Sequence, residues 1–391
     1  MKPKIGLLAL GIALILALGV GFVLLLAQGT RARPKATPTS TPVAARTEPT
    51  RSSSPTATAP TSTMVVTPTS SGERLTLKSQ PPLALRDWPR PIGDNGLGIH
   101  FLGDAYYSEG ELDRQIARMV EMHMKWTVVV YGDEIQLEKA AKRLQAAGIM
   151  AVWRKMLRPN EAYFGWVRDV NLLQRLGMAP YMQLYNEPSL PEEWDGKPAD
   201  RTLFLKNLLQ ASRDVYNAGG LVGWQFVNQD WLISAIRELK ARQGEAIFNR
   251  MFFVPHSYGL NHPPDYTEDV NSVLGFLVFA DIYQKEAGKL PPMVVGEGGW
   301  KYKATDDHRF PKVDDNLHRN YHLAVFNWFR AGKLSNGQAL PDYLFAFCPW
   351  ILSGKLEGSA WYDSFEGDRV LTINAVKSLS PFVRKFSWDQ R

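Results

Sequence analysis

From about Leu83 to the C-terminus, short apolar runs alternate with amphipathic stretches of 12 to 20 residues. Eight runs read as buried strands: Leu97–Leu102, Trp126–Tyr131, Met150–Arg154, Tyr181–Tyr185, Leu221–Val227, Met251–Pro255, Met293–Gly296 and Tyr343–Phe347. A helical pattern follows each: Ser108–His123, Asp133–Ala147, Glu161–Leu176, Arg201–Tyr216, Trp231–Arg242, Val270–Ala287, Asp315–Arg330 and Asp368–Val383. Ser108 and Glu111 have the spacing of a capping box. In the helix they open, Leu112, Ile116, Met119 and Val120 fall on one face. Gly148 stops the second helix. Eight βα units in about 300 residues predict a parallel (β/α)8 TIM barrel. A doubly wound open sheet is the structural alternative. Its Gly-rich phosphate loop has no counterpart in Gly98-Ile-His-Phe-Leu-Gly103.

Upstream the pattern changes twice. Ile5–Ala27 is almost purely apolar and long enough to cross a hydrocarbon core of roughly 30 Å. It lacks an Ala-x-Ala-like cleavage site, so it reads as an uncleaved signal anchor within residues 1–33. Residues 34–80 are dominated by Thr, Pro, Ser and Ala, too poor in apolar surface to fold, and predict a disordered linker. The expected organisation is therefore an anchor, a linker and a barrel over 81–391. The barrel would be held outside the cytoplasmic membrane, or secreted if the first segment is cleaved.

Composition narrows the function classes. Hydrophobic residues make up 45% of the chain, enough for a sizeable core, and net charge is +6. Beyond the N-terminus there is no block of Lys and Arg, so no nucleic-acid footprint is present. Cys348 is the single cysteine, which removes intrachain disulfides and cysteine-based zinc clusters. The 12 Trp, 14 Tyr and 18 Phe suit sugar-stacking surfaces and core packing equally.

Candidate chemistry lies at the strand ends, where barrels carry their active sites. Glu187 follows the fourth strand and Glu297 the seventh, so both face one end of the barrel. Two carboxyls there can act as proton donor and nucleophile on a glycosidic bond. The two need unlike surroundings, one kept protonated and the other ionised. A cation at Arg154 or a hydroxyl at Tyr258 would favour the charged form of Glu297.

Asn186-Glu187 after strand 4, with Glu297 ending strand 7, resembles clan A of the retaining glycoside hydrolases, nearest in pattern to family 5 cellulase-like enzymes. The resemblance covers the chain from about Gly96 onward. It implies Glu187 as general acid/base, Glu297 as nucleophile, and Asn186 as the partner of the sugar 2-hydroxyl. His256-Ser-Tyr258 matches the His-x-Tyr that often ends strand 6. There the tyrosine holds the nucleophile and the histidine lines the sugar pocket. Trp350 matches the tryptophan that floors the reactive subsite. The family's usual strand-2 Arg is absent from Trp126-Thr-Val-Val-Val-Tyr131, and Arg154 stands where strand 3 would lead to a His. His100 and Trp300 complete the candidate substrate-binding residues.

The expected function is a retaining glycoside hydrolase acting on a poly- or oligosaccharide. It would work without metal or cofactor, as a monomer tethered to a membrane. The alternative is a catalytically inactive carbohydrate-binding cell-surface protein on the same barrel. A metal-dependent barrel hydrolase ranks last. His318 and His322 have helical i, i+4 spacing but lack the Glu of a zinc-protease motif. Asp306-Asp307 and Asp314-Asp315 lack the spacing of a calcium loop. Glu192-Glu-Trp-Asp195 reads as cleft rim or solvated surface.

Overall fold

The apolar runs become strands because alternate side chains have two different walls to bury against. In β2 (Trp126–Tyr131), Trp126 and Val128 join the barrel interior, while Val129 and Tyr131 face the helices. The same parity holds in β3 (Met150–Lys155), with Val152 inside and Ala151 and Trp153 outside. Period-2 burial on both faces of a parallel sheet explains why these runs contain so few polar residues.

The computed structural model describes residues 73–102, 108 and 110–390. Its eight-stranded sheet begins with β1 (Gly98–Leu102), β2 and β3, followed by β4 (Tyr181–Gln183) and β5 (Leu221–Trp224). β6 (Met251–Phe253), β7 (Met293–Val295) and β8 (Leu344–Phe347) complete it, all paired parallel in chain order. A parallel bridge between Leu97 and Phe347 joins the last strand to the first. Beyond β6 and β7 the chain forms one more short parallel pair, His256–Tyr258 against Glu297–Gly299. A helix follows each barrel strand: α1 (Glu111–Glu121), α2 (Glu134–Ala146), α3 (Trp166–Arg175), α4 (Arg201–Asn217), α5 (Gln229–Ala241), α6 (Phe276–Glu286), α7 (Asp315–Ala331) and α8 (Val370–Lys377). This is the (β/α)8 architecture expected from the alternation.

The barrel interior is filled by Trp126, Val128, Val152, Tyr181, Phe252, Val254, Val294 and Phe345. Trp88 and Phe386 extend this cluster. A packed interior makes the barrel a rigid base rather than a pore. What the barrel can do therefore depends on the loops above its C-terminal rim.

Several boundaries differ from expectation. α1 starts at Glu111 with Gly110 as its cap, and no side chain caps it, so Ser108 and Glu111 do not form a capping box. Its buried face is Leu112, Gln115, Ile116 and Met119, whereas Val120 is 49% exposed. The stripe is rotated because Gln115 is drawn inward by hydrogen bonds with Arg118 and Ser353. α2 behaves as expected, with the Asp133 side chain accepting from Gln136 N–H at its start.

At the N-terminal side, the expected anchor over 5–27 and the linker as far as Gly72 lie outside the described residues. Among the described residues no helix is long and apolar enough to cross a membrane. Residues 73–80, expected in the linker, instead lie against the barrel. Leu75 N–H donates to the Arg242 carbonyl at 3.0 Å. The Asn217 side chain bonds Lys78 N–H at 2.8 Å and the Thr76 carbonyl at 3.0 Å. Leu75 and Leu77 also pack on the outer core.

Candidate active site

Strand parity delivers the first polar group to the cleft. Arg154 lies two residues beyond Val152, on the inward face of β3, and pairs in register with Gln183 of β4. Its Nη1 donates to Glu297 Oε1 at 2.7 Å. Tyr258 OH donates to the other oxygen, Oε2, at 2.8 Å. His256 Nδ1 lies 2.8 Å from Glu187 Oε1 and 3.6 Å from Glu297 Oε2. One ring nitrogen of His256 and one carboxylate oxygen from each glutamate lie within 4.8 Å of one another.

The backbone around both glutamates is shaped for close approach. Gly298 and Gly299 follow Glu297 because side chains do not fit there. A Cβ on Gly298 would sit 2.4 Å from the Ser257 carbonyl oxygen, and one on Gly299 would sit 2.4 Å from His322 Nε2 at a φ of +74°. Glu187 itself has φ +33°, a conformation that costs a non-glycine residue about 1–3 kcal/mol. Its N–H donates to Gln225 Oε1 at 2.5 Å, just beyond β5.

The two carboxyls have unequal surroundings. Glu297 has a side chain only 7% exposed, against 21% for Glu187. Burial alone would raise the Glu297 carboxyl, but His256, His100, Arg154 and the Tyr258 hydroxyl together hold it down to about 2. His100 supplies little of that charge near neutrality, since burial pushes its own value down to about 4. Arg154 is the permanent cation. For His256, burial disfavours the charged imidazolium, and the two carboxylates outweigh it and raise the value above 6.5. Burial and the negative Glu297 keep Tyr258 a neutral phenol, well above its ordinary range.

Most of the sequence candidates converge here, and two of them are fully buried. Asn186 is buried beside Glu187. Trp350 is half-buried, its ring 4.7 Å from His100, with Nε1 donating to Glu357 Oε2 at 3.2 Å. His100 acts on the cluster through its electrostatic effect on Glu297. It is fully buried in β1 beneath Trp350, with Nδ1 2.9 Å from the Gly296 carbonyl oxygen. Trp300 is 1% exposed and donates to the His262 carbonyl at 2.8 Å, so it packs a loop rather than lining a subsite.

His318, His322, Asp307, Asp314 and Asp315 have structural partners. His318 and His322 are buried in α7, bonded to Thr372 Oγ1 and the His318 carbonyl, each at 2.7 Å. Asp307 accepts from Arg309, Asp314 caps α7 and Asp315 pairs with Arg369.

Sequence reasoning missed two members of the site. Gln225 fixes the backbone of Glu187, and only its position just past β5 hinted at that. Glu193, set aside as rim or surface, is half-buried and accepts from Asn186 Nδ2 at 2.7 Å. Burial pushes its carboxyl up to about 7. Arg154 opposes the rise, while Glu187 and Glu297 add to it. A tryptophan among acids, Trp194, was the sign in the sequence that this loop folds back onto the barrel.

Chemically, the cluster places one ionised and clamped carboxylate beside a second carboxyl that shares a hydrogen bond with a histidine. Glu187, His256 and Glu297 are also the described residues whose donor atoms could gather around a metal ion. Both Glu297 oxygens already accept from Arg154 and Tyr258, and a divalent cation would meet the guanidinium's charge at the same carboxylate.

No family model matches the chain, and no curated protein matches it. Solved structures of similar path include the GH39 enzyme from Xanthomonas axonopodis pv. citri, at 12% identity over 74% of this chain and 67% of that one, with TM-score 0.46. Another is AbfB, a family 51 α-L-arabinofuranosidase from Bifidobacterium longum, at 10% identity, 73% of each chain and TM-score 0.43. The endo-1,4-β-mannanase from Rhizomucor miehei gives 10% identity, 77% and 98% coverage and TM-score 0.41. Likeness at this level concerns the chain path and says nothing about residue roles.

Proposed function

We propose that this chain is a retaining glycoside hydrolase that cleaves O-glycosidic bonds of a poly- or oligosaccharide. The observation that carries this reading is the Glu187–Glu297 pair, with carboxylate oxygens within 4.8 Å of one another and unlike surroundings. Retaining enzymes hold their two carboxyls about 5–5.5 Å apart, and inverting enzymes leave 6.5 Å or more for a water.

In the proposed reaction, ionised Glu297 attacks the anomeric carbon while Glu187 gives its proton to the departing oxygen. The C–O bond to the leaving group breaks as the C–O bond to Glu297 forms. Water then enters, and Glu187 takes its proton as the glycosyl–Glu297 ester is displaced. Arg154 and Tyr258 hold Glu297 in line and ionised. His256 orients the Glu187 carboxyl. Asn186 faces the sugar hydroxyl next to the anomeric carbon, and Trp350 offers a face for the ring.

By resemblance the substrate is neutral and β-linked, in the manner of clan A and nearest to family 5. Tethering outside the cytoplasm by the apolar N-terminal run would set the enzyme beside such a polymer. The inactive carbohydrate-binding alternative gains no support from a site that retains both carboxyls and a clamp on one of them.

Incubation with 2-deoxy-2-fluoro aryl glycosides, followed by mass spectrometry of peptides, tests the reading. A glycosyl adduct on Glu297, with hydrolysis lost in Glu297→Gln and Glu187→Gln, is expected. Full activity in Glu297→Gln would sink it.

A further inference from the structure

The glycosidase reading leaves one half-buried acid without a task. Glu193 sits in the short 3-10 turn Pro191–Trp194, which folds back over the strand ends. The turn is firmly held. Leu190 N–H donates to the Glu187 carbonyl at 2.9 Å, and Glu193 N–H donates to the Leu190 carbonyl at 3.1 Å. Trp194 is buried, and its Nε1 donates to the Pro188 carbonyl at 2.9 Å. Arg158 pairs with Asp195 at 2.6 Å, tying the turn to the loop after β3. A side chain on such a support keeps its geometry when a ligand arrives.

Glu193 Oε1 accepts from Asn186 Nδ2 at 2.7 Å, and Gln183 Nε2 lies 3.5 Å from Asn186 Oδ1. These contacts fix which way the amide faces. They use one of the two amide hydrogens. The second hydrogen and Glu193 Oε2 have no hydrogen-bond partner among the described residues. A donor and an acceptor thus sit side by side, within the field of Arg154, Glu187 and Glu297. A hydroxyl group is the ligand that satisfies both, because it accepts at oxygen and donates through hydrogen.

We infer that Glu193 and Asn186 form a two-part reader for the sugar hydroxyl adjacent to the anomeric carbon, Asn186 donating to its oxygen and Glu193 accepting its hydrogen. The inference rests on the glycosidase reading and deepens it. The site would select saccharides with a free hydroxyl at that carbon and reject those lacking it or carrying an acylamino group there. Sites built around a substrate hydroxyl discriminate strongly, since its loss leaves buried polar groups unpaired.

The test compares 4-nitrophenyl glycosides with and without that hydroxyl, on the sugar the parent cleaves best. Glu193→Ala should lower kcat/KM on the hydroxylated substrate about 10–100-fold and on the deoxy substrate less than about threefold. Glu193→Gln keeps the acceptor for Asn186 but turns a donor toward the hydroxyl. It should show the same selective loss with an unchanged melting temperature. Adding Asn186→Ala to Glu193→Ala should cost less than the two losses combined. Equal slowing of both substrates, or Glu193→Gln with undiminished selectivity, would overturn the inference and leave the glycosidase reading standing. A parent that cleaves no glycoside overturns the glycosidase reading, and this inference with it.

Discussion

Arg154→Met probes the link between strand parity and chemistry most directly. The guanidinium lies 2.7 Å from Glu297 Oε1, and the two side chains are only 17% and 7% exposed. At that distance two unit charges attract by about 6 kcal/mol at an effective dielectric of 20. Desolvation offsets part of this, and truncating one partner of a buried pair costs about 3–5 kcal/mol because the other charge stays behind. The depression of the Glu297 carboxyl from 4.5 to about 2 corresponds to about 3 kcal/mol favouring its charged form. That figure sums the effects of His256, His100, Arg154 and Tyr258, so Arg154 supplies only part of it.

The sign follows from linkage. A carboxyl depressed in the folded state contributes stability that is present above about 4.5 and lost as pH falls towards about 2. Losing Arg154 raises the Glu297 value, so the variant forfeits most at neutral pH and progressively less in acid. Urea unfolding followed by tryptophan fluorescence should show a gap of about 3 kcal/mol at pH 7 that narrows by pH 3.5. Arg154→Met with Glu297→Gln should be more stable than Arg154→Met alone, because no orphaned charge remains. The acidic limb of kcat/KM should move to higher pH in Arg154→Met. A stability gap equal at both pH values, or a double variant no more stable than the single, would refute the pairing as the source of the Glu297 ionisation.

Further outcomes follow from the same geometry. His322 is buried and held at about 4. Its neutral state therefore stabilises the fold above 6.5, and that stability is lost as pH falls towards 4, about 2 kcal/mol of it by pH 5. His322→Gln should make the pH dependence of unfolding shallower by about one proton, and an unchanged slope would contradict this. Trp350→Ala should raise KM for aryl glycosides at least tenfold, since the proposed function assigns its half-buried ring to the sugar; an unchanged KM would remove it from the sugar site. Trp300→Phe should leave KM within about twofold and lower stability by about 1 kcal/mol through the lost bond to His262, with steady-state kinetics and urea melts as the measures.

How much of this was legible in the sequence depends on whether a residue's setting is local. Parallel strands buried on both faces announce themselves as continuous apolar runs, so all eight were readable, and their ends located Glu187, Glu297, Tyr258 and Arg154. Counting parity from Val152 would have turned Arg154 inward without a structure. Helix starts were less legible. α3 and α6 begin at Trp166 and Phe276 rather than Glu161 and Val270, because the loops above the rim are long and partly apolar. His100 and Trp300 looked like pocket residues because type and neighbourhood suggested it. Their burial is decided by Trp350 and by α7, far away in sequence.

Glu193 shows why a surface-like sequence can hide a functional group. Glu192-Glu-Trp-Asp195 reads as a charged loop, either the rim of the cleft or solvated surface. What decides between the two is one buried indole. Once Trp194 is fixed by the Pro188 carbonyl, the turn brings Glu193 against Asn186 while Asp195 reaches outward to Arg158. Three neighbouring acids thus end in different environments, and Glu193 sits where burial and two other carboxylates oppose its ionisation. A cluster that placed Glu193 there merely as ballast would gain nothing from its charge. It would lose little if a neutral amide replaced it, which makes the substrate-dependent behaviour of Glu193→Gln the sharpest test of why the acid is there.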